Sequence, residues 1–369
     1  MKDNNTQPLN EEQKDALESI RLSRIILPVV IGIGVVIYLL FREFELEEFD
    51  KIPWSFHTFF WIGASIFFLA LRHAAYAYRL RVLSDKKFSW LKCIQLIFIW
   101  EFSSAVSPTS VGGSAVAFFV LAQEKLSTAK TATIVLYTVV LDTLFFIALL
   151  PVLILLMGFE VIHPSMTGFG MLNSWGISFI TFYLLMFSYG LIFYYGLFVN
   201  PVQMKRLLVG FTKISFLRKW RKGAVELGEN MIATSGELKK QSWSYHWKAF
   251  LSTSIAWACR FILLNCLIIA LVPDISMAIW DQLLLYSRQM SMFILIAFSP
   301  TPGGAGIIEY VFGGFLKDFV PSGISPLINF FWRFLTYYLY LLAGVLIIPT
   351  WIQSVLKSRK LKKKNSQNN

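Results

Sequence analysis

Charge is scarce in this sequence. Asp, Glu, Lys and Arg make up 15% of its 369 residues, where a soluble globular domain carries about 25%. That shortage, with 56% hydrophobic residues, 16% aromatics and a mean hydropathy of +0.59, excludes an ordinary soluble fold. Cysteine is scarcer still: Cys93, Cys259 and Cys266 form no C-x-x-C pair and no cluster with histidine, so neither a disulfide framework nor a zinc site is expected. The four histidines, His57, His73, His163 and His246, make no H-x-x-x-H pair. No G-x-x-x-x-G-K loop and no Ser-His-Asp constellation appears, so a conventional hydrolase or a one-chain ATP-driven pump is not expected, and no metal or other cofactor is called for.

What is there instead is apolar sequence in long runs. A helix needs roughly 20 apolar residues to cross about 30 Å of hydrocarbon, and such runs recur near 25–41, 57–80, 131–157, 175–198, 249–272 and 326–350. An all-α, polytopic transmembrane helical bundle follows. The first run has no small-residue cleavage site after it and reads as a retained anchor behind a polar N-terminus, 1–24. The bases sit in loops beside these runs, so the net charge of +12 fits anionic headgroups at the cytoplasmic face rather than nucleic acid.

Lys and Arg near span ends set orientation. The loop 42–51 has five acids against two bases and faces out; Arg79, Arg81, Lys86, Lys87 and Lys92 mark the next loop as cytoplasmic. Segment 200–248 holds ten bases against three acids and lies inside, as does the tail 351–369 with six bases and no acid. Both termini are therefore expected in the cytoplasm of a multi-pass cell-membrane protein. The linker from Pro201 to Trp247 alternates bases with apolar residues and reads as an amphipathic segment on the inner leaflet.

Two stretches break this pattern at matching places. Ser107-Pro108-Thr109-Ser110-Val111-Gly112-Gly113 interrupts 91–123, and Ser299-Pro300-Thr301-Pro302-Gly303-Gly304 interrupts 283–317. Proline and the residue before it break a helix. Loop charge then requires each stretch to enter and leave on one side, which makes two re-entrant hairpins from opposite faces. The expectation is a single transmembrane domain over 25–350 with inverted repeats, about 57–157 and about 249–350, whose broken tips meet near the midplane. The glycines at Gly112, Gly113, Gly303, Gly304 and Gly306 allow close backbone approach to a ligand, and a restarted helix end favours an anion. Tight helix packing is the alternative use of such glycines.

Seven ionisable residues fall within the expected membrane segments: Arg72, Glu101, Asp142, Arg260, Arg288, Glu309 and Arg333. Each costs roughly 2.5–3.5 kcal/mol on insertion scales and is a functional expectation by default. Arg288, Glu309 and Arg333 lie near the second break and join Pro108, Thr109, Gly112, Gly113, Pro300, Thr301, Gly303, Gly304 and Gly306 as the expected substrate-binding set. Arg72, Glu101, Asp142 and Arg260 form the expected intramembrane charge network, with structural pairing as the equal alternative for Arg72 and Arg260. Four arginines against three carboxylates favour an anionic headgroup, because guanidinium matches phosphate bidentately.

The second motif, Pro300-Thr301-Pro302-Gly303-Gly304-Ala305-Gly306-Ile307-Ile308-Glu309, resembles the P-x-P-G-G-x-G-x-x-E signature of the lysylphosphatidylglycerol synthase transmembrane (flippase-like) family. Arg333-Phe334-Leu335-Thr336-Tyr337-Tyr338 resembles that family's last-span R-x-x-T-Y-Y, and Leu141-Asp142 its acidic position after the first break. The first motif departs, with Gly113-Ser114 and Ala117-Phe118 where many members carry Gly-Glu and an Arg. The resemblance implies a membrane domain that moves or handles lipids, in some members aminoacylated phosphatidylglycerol and in others lipids of glycolipid pathways. No soluble lysyl-transferring domain is expected, the tail 351–369 being too short for one. The expected function is a lipid transporter, flippase-like, with a membrane lipid as substrate. The alternatives are a membrane-embedded transferase using Glu309 or Asp142 as base, or a non-catalytic subunit beside a separate lipid-modifying enzyme.

Overall fold

The computed structural model describes residues 52, 54–106, 110–124, 126–166, 168, 174–299 and 307–367. Among them there is no strand. Twelve α-helices run in order: α1 Phe56–Leu83, α2 Trp90–Val106, α3 Ser110–Ala122, α4 Thr128–Met157, α5 Ser174–Tyr194, α6 Pro201–Phe211, α7 Arg221–Leu238, α8 Trp243–Leu271, α9 Ile279–Ala297, α10 Ile307–Phe315, α11 Ser325–Arg333 and α12 Leu339–Gln367. Short π-helical turns at Tyr195–Val199 and Phe334–Tyr338 extend α5 and join α11 to α12. The apolar runs expected at 57–80, 131–157, 175–198, 249–272 and 326–350 correspond to five helical stretches long and apolar enough to cross a membrane: Phe56–Leu83, Thr128–Met157, Ser174–Val199, Trp243–Leu271 and Ser325–Val355. The anchor expected at 25–41 lies outside the described residues.

Local sequence explains where these helices start and stop. Ser55, Ser127 and Ser242 accept a hydrogen bond from the backbone N–H three residues on, at 3.3, 3.2 and 3.4 Å, and so cap α1, α4 and α8. Asn200 does the same for α6 at 2.9 Å, with Pro201 in the first turn where its missing N–H costs nothing. Gly158, at φ 83°, ends α4. The turn after α1 puts two non-glycine residues, Asp85 and Lys86, in the left-handed region at φ 53° and 60°. Asp85 is held there by Lys130 of α4, whose Nζ lies 2.5 Å from its carboxylate.

Helix α8 is the central member. In its most apolar window 72% of residues are buried, against 28–39% for the other four spanning stretches, whose outward faces carry residues such as Phe56 and Leu155. The most extensive helix contact joins α8 to α1. The two interrupted stretches fold as packed pairs, α2 with α3 and α9 with α10. Each pair carries an ion pair between its entering helix and the residues just past its leaving helix. Lys92 meets Glu124 at 2.6 Å, and Arg288 meets Asp318 at 2.7 Å. Trp351 of α12 also donates from Nε1 to Glu124, at 2.6 Å.

The expected linker 200–248 holds α6, a 3-10 turn at Ser215–Trp220, and α7, while its last residues already belong to α8. Met204 and Met231 are buried where α6 and α7 meet the π turn after α5, and Gly196 allows that approach. Exposed Phe211, Ile214, Phe216 and Trp220 lie among the bases of the connecting turn. α12 continues through the basic tail as helix to Gln367.

Candidate functional site

Helical spacing aligns the polar residues that matter. On α1, Arg72, Tyr76 and Arg79 stand at i, i+4 and i+7; on α8, Thr253, Trp257 and Arg260 stand at i, i+4 and i+7. Past α11 the π turn gathers Arg333, Thr336 and Tyr337, a local widening of the helix of the kind found at functional sites. α2 contributes Trp100, Glu101 and Ser104, α4 contributes Thr138 and Asp142, and α9 contributes Gln289 and Phe293.

These faces enclose a cavity of about 520 Å³, the size of a site for a small ligand or a headgroup. Ala105 on one side and Phe298, Ser299 and Ile308 on the other bring the flanks of both helix breaks to its wall. Among the described residues its lining holds four arginines, Arg72, Arg79, Arg260 and Arg333, against two carboxylates, Glu101 and Asp142, for a balance of +2.

Both carboxylates are held by donors. Arg72 Nη2 lies 2.7 Å from Glu101, while its Nη1 donates to Tyr340 Oη at 3.1 Å. Arg79 Nη1 lies 2.5 Å from Asp142 and donates to Thr253 Oγ1 at 3.1 Å; Trp257 Nε1 donates to the same Asp142 oxygen at 3.0 Å. Rings cover the guanidiniums: Tyr76 lies 5.1 Å from Arg72 and 4.6 Å from Arg79, and Tyr337 lies 5.3 Å from Arg333. Arg260 is covered by Trp257 at 5.6 Å and Phe293 at 5.3 Å, and its Nε has no hydrogen-bond partner. His73 braces the wall from behind, with Nε2 3.1 Å from the Ile94 carbonyl and its ring 4.1 Å from that of Phe98.

Five residues expected to be functional therefore meet here: Arg72, Glu101, Asp142, Arg260 and Arg333. The four residues of the expected intramembrane charge network share one cavity with Arg333 of the expected binding set. Arg288 stands apart from its lining. Its Nε donates to the Glu160 carbonyl at 3.0 Å, its Nη1 bonds Asp318 at 2.7 Å, and Phe319 covers it. Near this group, in the loop after α4, burial first and then Lys317 and Arg288 push the pKa of His163 down to about 4. Pro108, Thr109, Pro300, Thr301, Gly303, Gly304 and Gly306 lie outside the described residues. Gly112 and Gly113 fall in the first turn of α3, and Glu309 in α10, where its backbone alone is described.

Arg79 is the residue that sequence reading misassigns. Counted with the loop bases, it lies inside α1, 7% exposed, because the helix continues to Leu83 before Ser84 ends it. The i, i+7 match with Arg72 and the intervening Tyr76 were the signal. Trp257 and Gln289 were also missed; Trp257 stands three residues before Arg260, on the same helix face.

An all-α bundle with five membrane-crossing stretches around a buried, arginine-rich cavity defines a multi-pass membrane protein. The chain belongs to the lysylphosphatidylglycerol synthase TM region family, whose model matches residues 25–344. It is also similar to a UPF0104 membrane protein of Archaeoglobus fulgidus, 26% identical over 300 residues that cover 78% of this chain and 84% of that protein. No solved structure matches the chain.

Proposed function

We propose that this protein is a flippase-like lipid transporter of the cytoplasmic membrane, carrying an anionic phospholipid or lipid-linked substrate between leaflets. The observation that carries the reading is the cavity: about 520 Å³, a balance of +2, and walls reaching the flanks of both helix breaks. Membership of a family named for a lipid-modifying synthase supports lipid as the substrate. A headgroup would enter the cavity while the acyl chains stay in the bilayer.

The element order supports two repeats. A long helix, two short ones and a long one occur as α1 to α4 and again as α8 to α12, the second long helix being α11 and α12 joined through the π turn. Read as inverted copies, with both termini in the cytoplasm, they would present the two breaks to one midplane site and give alternating access by rocking about it. Arg79 and Trp257 both donate to one oxygen of Asp142, which gives that carboxylate a part in holding the cavity wall.

The test is reconstitution in liposomes with headgroup-labelled phosphatidylglycerol and a leaflet-specific readout. Vesicles with protein should exchange the label faster than protein-free vesicles, and Ser104→Trp, which places an indole in the cavity, should cut the gain. Exchange no faster than in empty vesicles, or unaffected by the bulky side chain, would sink the proposal.

A further inference from the structure

The arginines within the helix bundle differ in what they hold. Arg72, Arg79 and Arg288 each reach a carboxylate, Glu101, Asp142 and Asp318, at 2.7, 2.5 and 2.7 Å. Arg260 lines the same cavity as the first two and has neither an ion pair nor a hydrogen bond among the described residues. It rests instead on ring faces, Trp257 at 5.6 Å and Phe293 at 5.3 Å. Trp257 is itself fixed, because its Nε1–H is used by Asp142, which Arg79 also holds. The charge of Glu101 reaches Arg260, but that carboxylate is bonded to Arg72, and a rigid aromatic seat orients the Arg260 guanidinium without satisfying its N–H groups. An incoming anion would supply what is missing.

The carboxylates point the same way. A cationic headgroup needs an available acid, and both acids in the lining are already committed, Glu101 to Arg72 and Asp142 to Arg79 and Trp257. An ammonium would have to displace a guanidinium and would enter a cavity of balance +2.

From this we infer that Arg260 is the group that ligates the lipid phosphate, and that the cavity selects a headgroup of net negative charge and turns away an aminoacylated, net cationic one. The chain would then differ in substrate charge from the lysyl lipid after which its family is named. The inference rests on the cavity being a lipid headgroup site, as proposed above, and names the charge class it accepts.

The full chain, purified in detergent, is titrated with dioleoylphosphatidylglycerol, its lysyl ester and inorganic phosphate, with bound lipid read by native mass spectrometry. Phosphatidylglycerol should bind at least about tenfold more tightly than the lysyl ester, since both offer the same phosphate and the ester adds cationic amines that meet a lining of like charge. Arg260→Gln should lose about tenfold for phosphatidylglycerol and part of the discrimination, while Arg260→Lys keeps both in weakened form. Thermal stability of Arg260→Gln should match wild type, because the part-exposed Arg260 gives up no ion pair or hydrogen bond to the described residues. Equal affinity for the two lipids, or unchanged phosphatidylglycerol binding in Arg260→Gln, overturns the inference. Inorganic phosphate competing as well as the lipid at equal concentration would assign the site to a free anion and overturn it too. The same lipids are then followed in liposomes. Transport without charge preference sinks the selectivity and leaves the transport reading intact, whereas Arg260-dependent binding without any transport does the reverse.

Discussion

Replacing Asp142 by Asn tests whether the cavity wall is held by charge. The substitution keeps the shape and an acceptor for Trp257, but removes the negative charge 2.5 Å from Arg79 Nη1. A hydrogen bond to a charged group contributes about 1.5–3 kcal/mol, and breaking a fully buried pair costs about 3–5 kcal/mol because one charge is stranded. Arg79 is stranded here, its side chain 8% exposed, although Thr253 remains at 3.1 Å and the 28% exposure of Asp142 lets water soften the loss. The expected cost is therefore about 2–3 kcal/mol. Arg79→Met leaves a carboxylate that the cavity can hydrate and Trp257 can still serve, so about 1–2 kcal/mol is expected. The double variant should recover about 2 kcal/mol of the summed loss, a coupling of roughly 30-fold in the unfolding equilibrium. SDS titration from mild detergent measures it, with thiol labelling as the probe, because Cys93, Cys259 and Cys266 are all free and buried. Losses that add within about 0.5 kcal/mol would refute the network.

Three further outcomes follow from other parts of the molecule. Lys86→Gly should stabilise by about 0.5–1 kcal/mol, since a side chain at φ 60° carries left-handed strain that glycine lacks; a lower melting temperature would contradict this. Gly190→Leu should cost about 1–3 kcal/mol and slow transport, because a Cβ there would sit 2.5 Å from Thr143 Cγ2 on the cavity wall, and Thr143→Ala should restore part of both. His163 has its folded pKa lowered from 6.5 to about 4, so its contribution is fully present above pH 6.5 and is lost as pH falls toward 4. By linkage that loss is at most about 3 kcal/mol, and comparing melting at pH 5 and pH 8 should show a smaller acid drop in His163→Gln than in wild type.

The spans were readable because hydrocarbon demands long apolar runs with internal hydrogen bonding, and runs such as 131–157 and 249–272 have no rival reading. Arginines deep in apolar sequence were readable for the same reason: Arg72, Arg260 and Arg333 lie where charge is expensive. Arg79 was not, because a base one turn from a helix end looks the same whether it reaches headgroups or turns inward to Asp142. Arg288 shows the opposite limit. Proximity in sequence to the second break suggested the site, yet its helix face directs it to Asp318 and the Glu160 carbonyl. The neutral part of the wall, Trp257 and Gln289 among it, carries no cost signal in the sequence at all.

The ion pairs Lys92–Glu124 and Arg288–Asp318 carry a mechanical meaning. Each fastens the two limbs of one interrupted stretch, Lys92 at the far end of its helix and Arg288 midway along its own, and Trp351 adds a second fastening to Glu124. A limb so pinned cannot peel from its twin, so each pair of limbs is stiff and any displacement is passed on as a lever arm. The contact between α1 and α8, the most extensive between helices and bridged by Arg79 to Thr253 at 3.1 Å, is the firm base against which such a lever acts. Weakening either fastening would turn a lever into two loose rods, and the force exerted by a seated ligand would dissipate before reaching the far side.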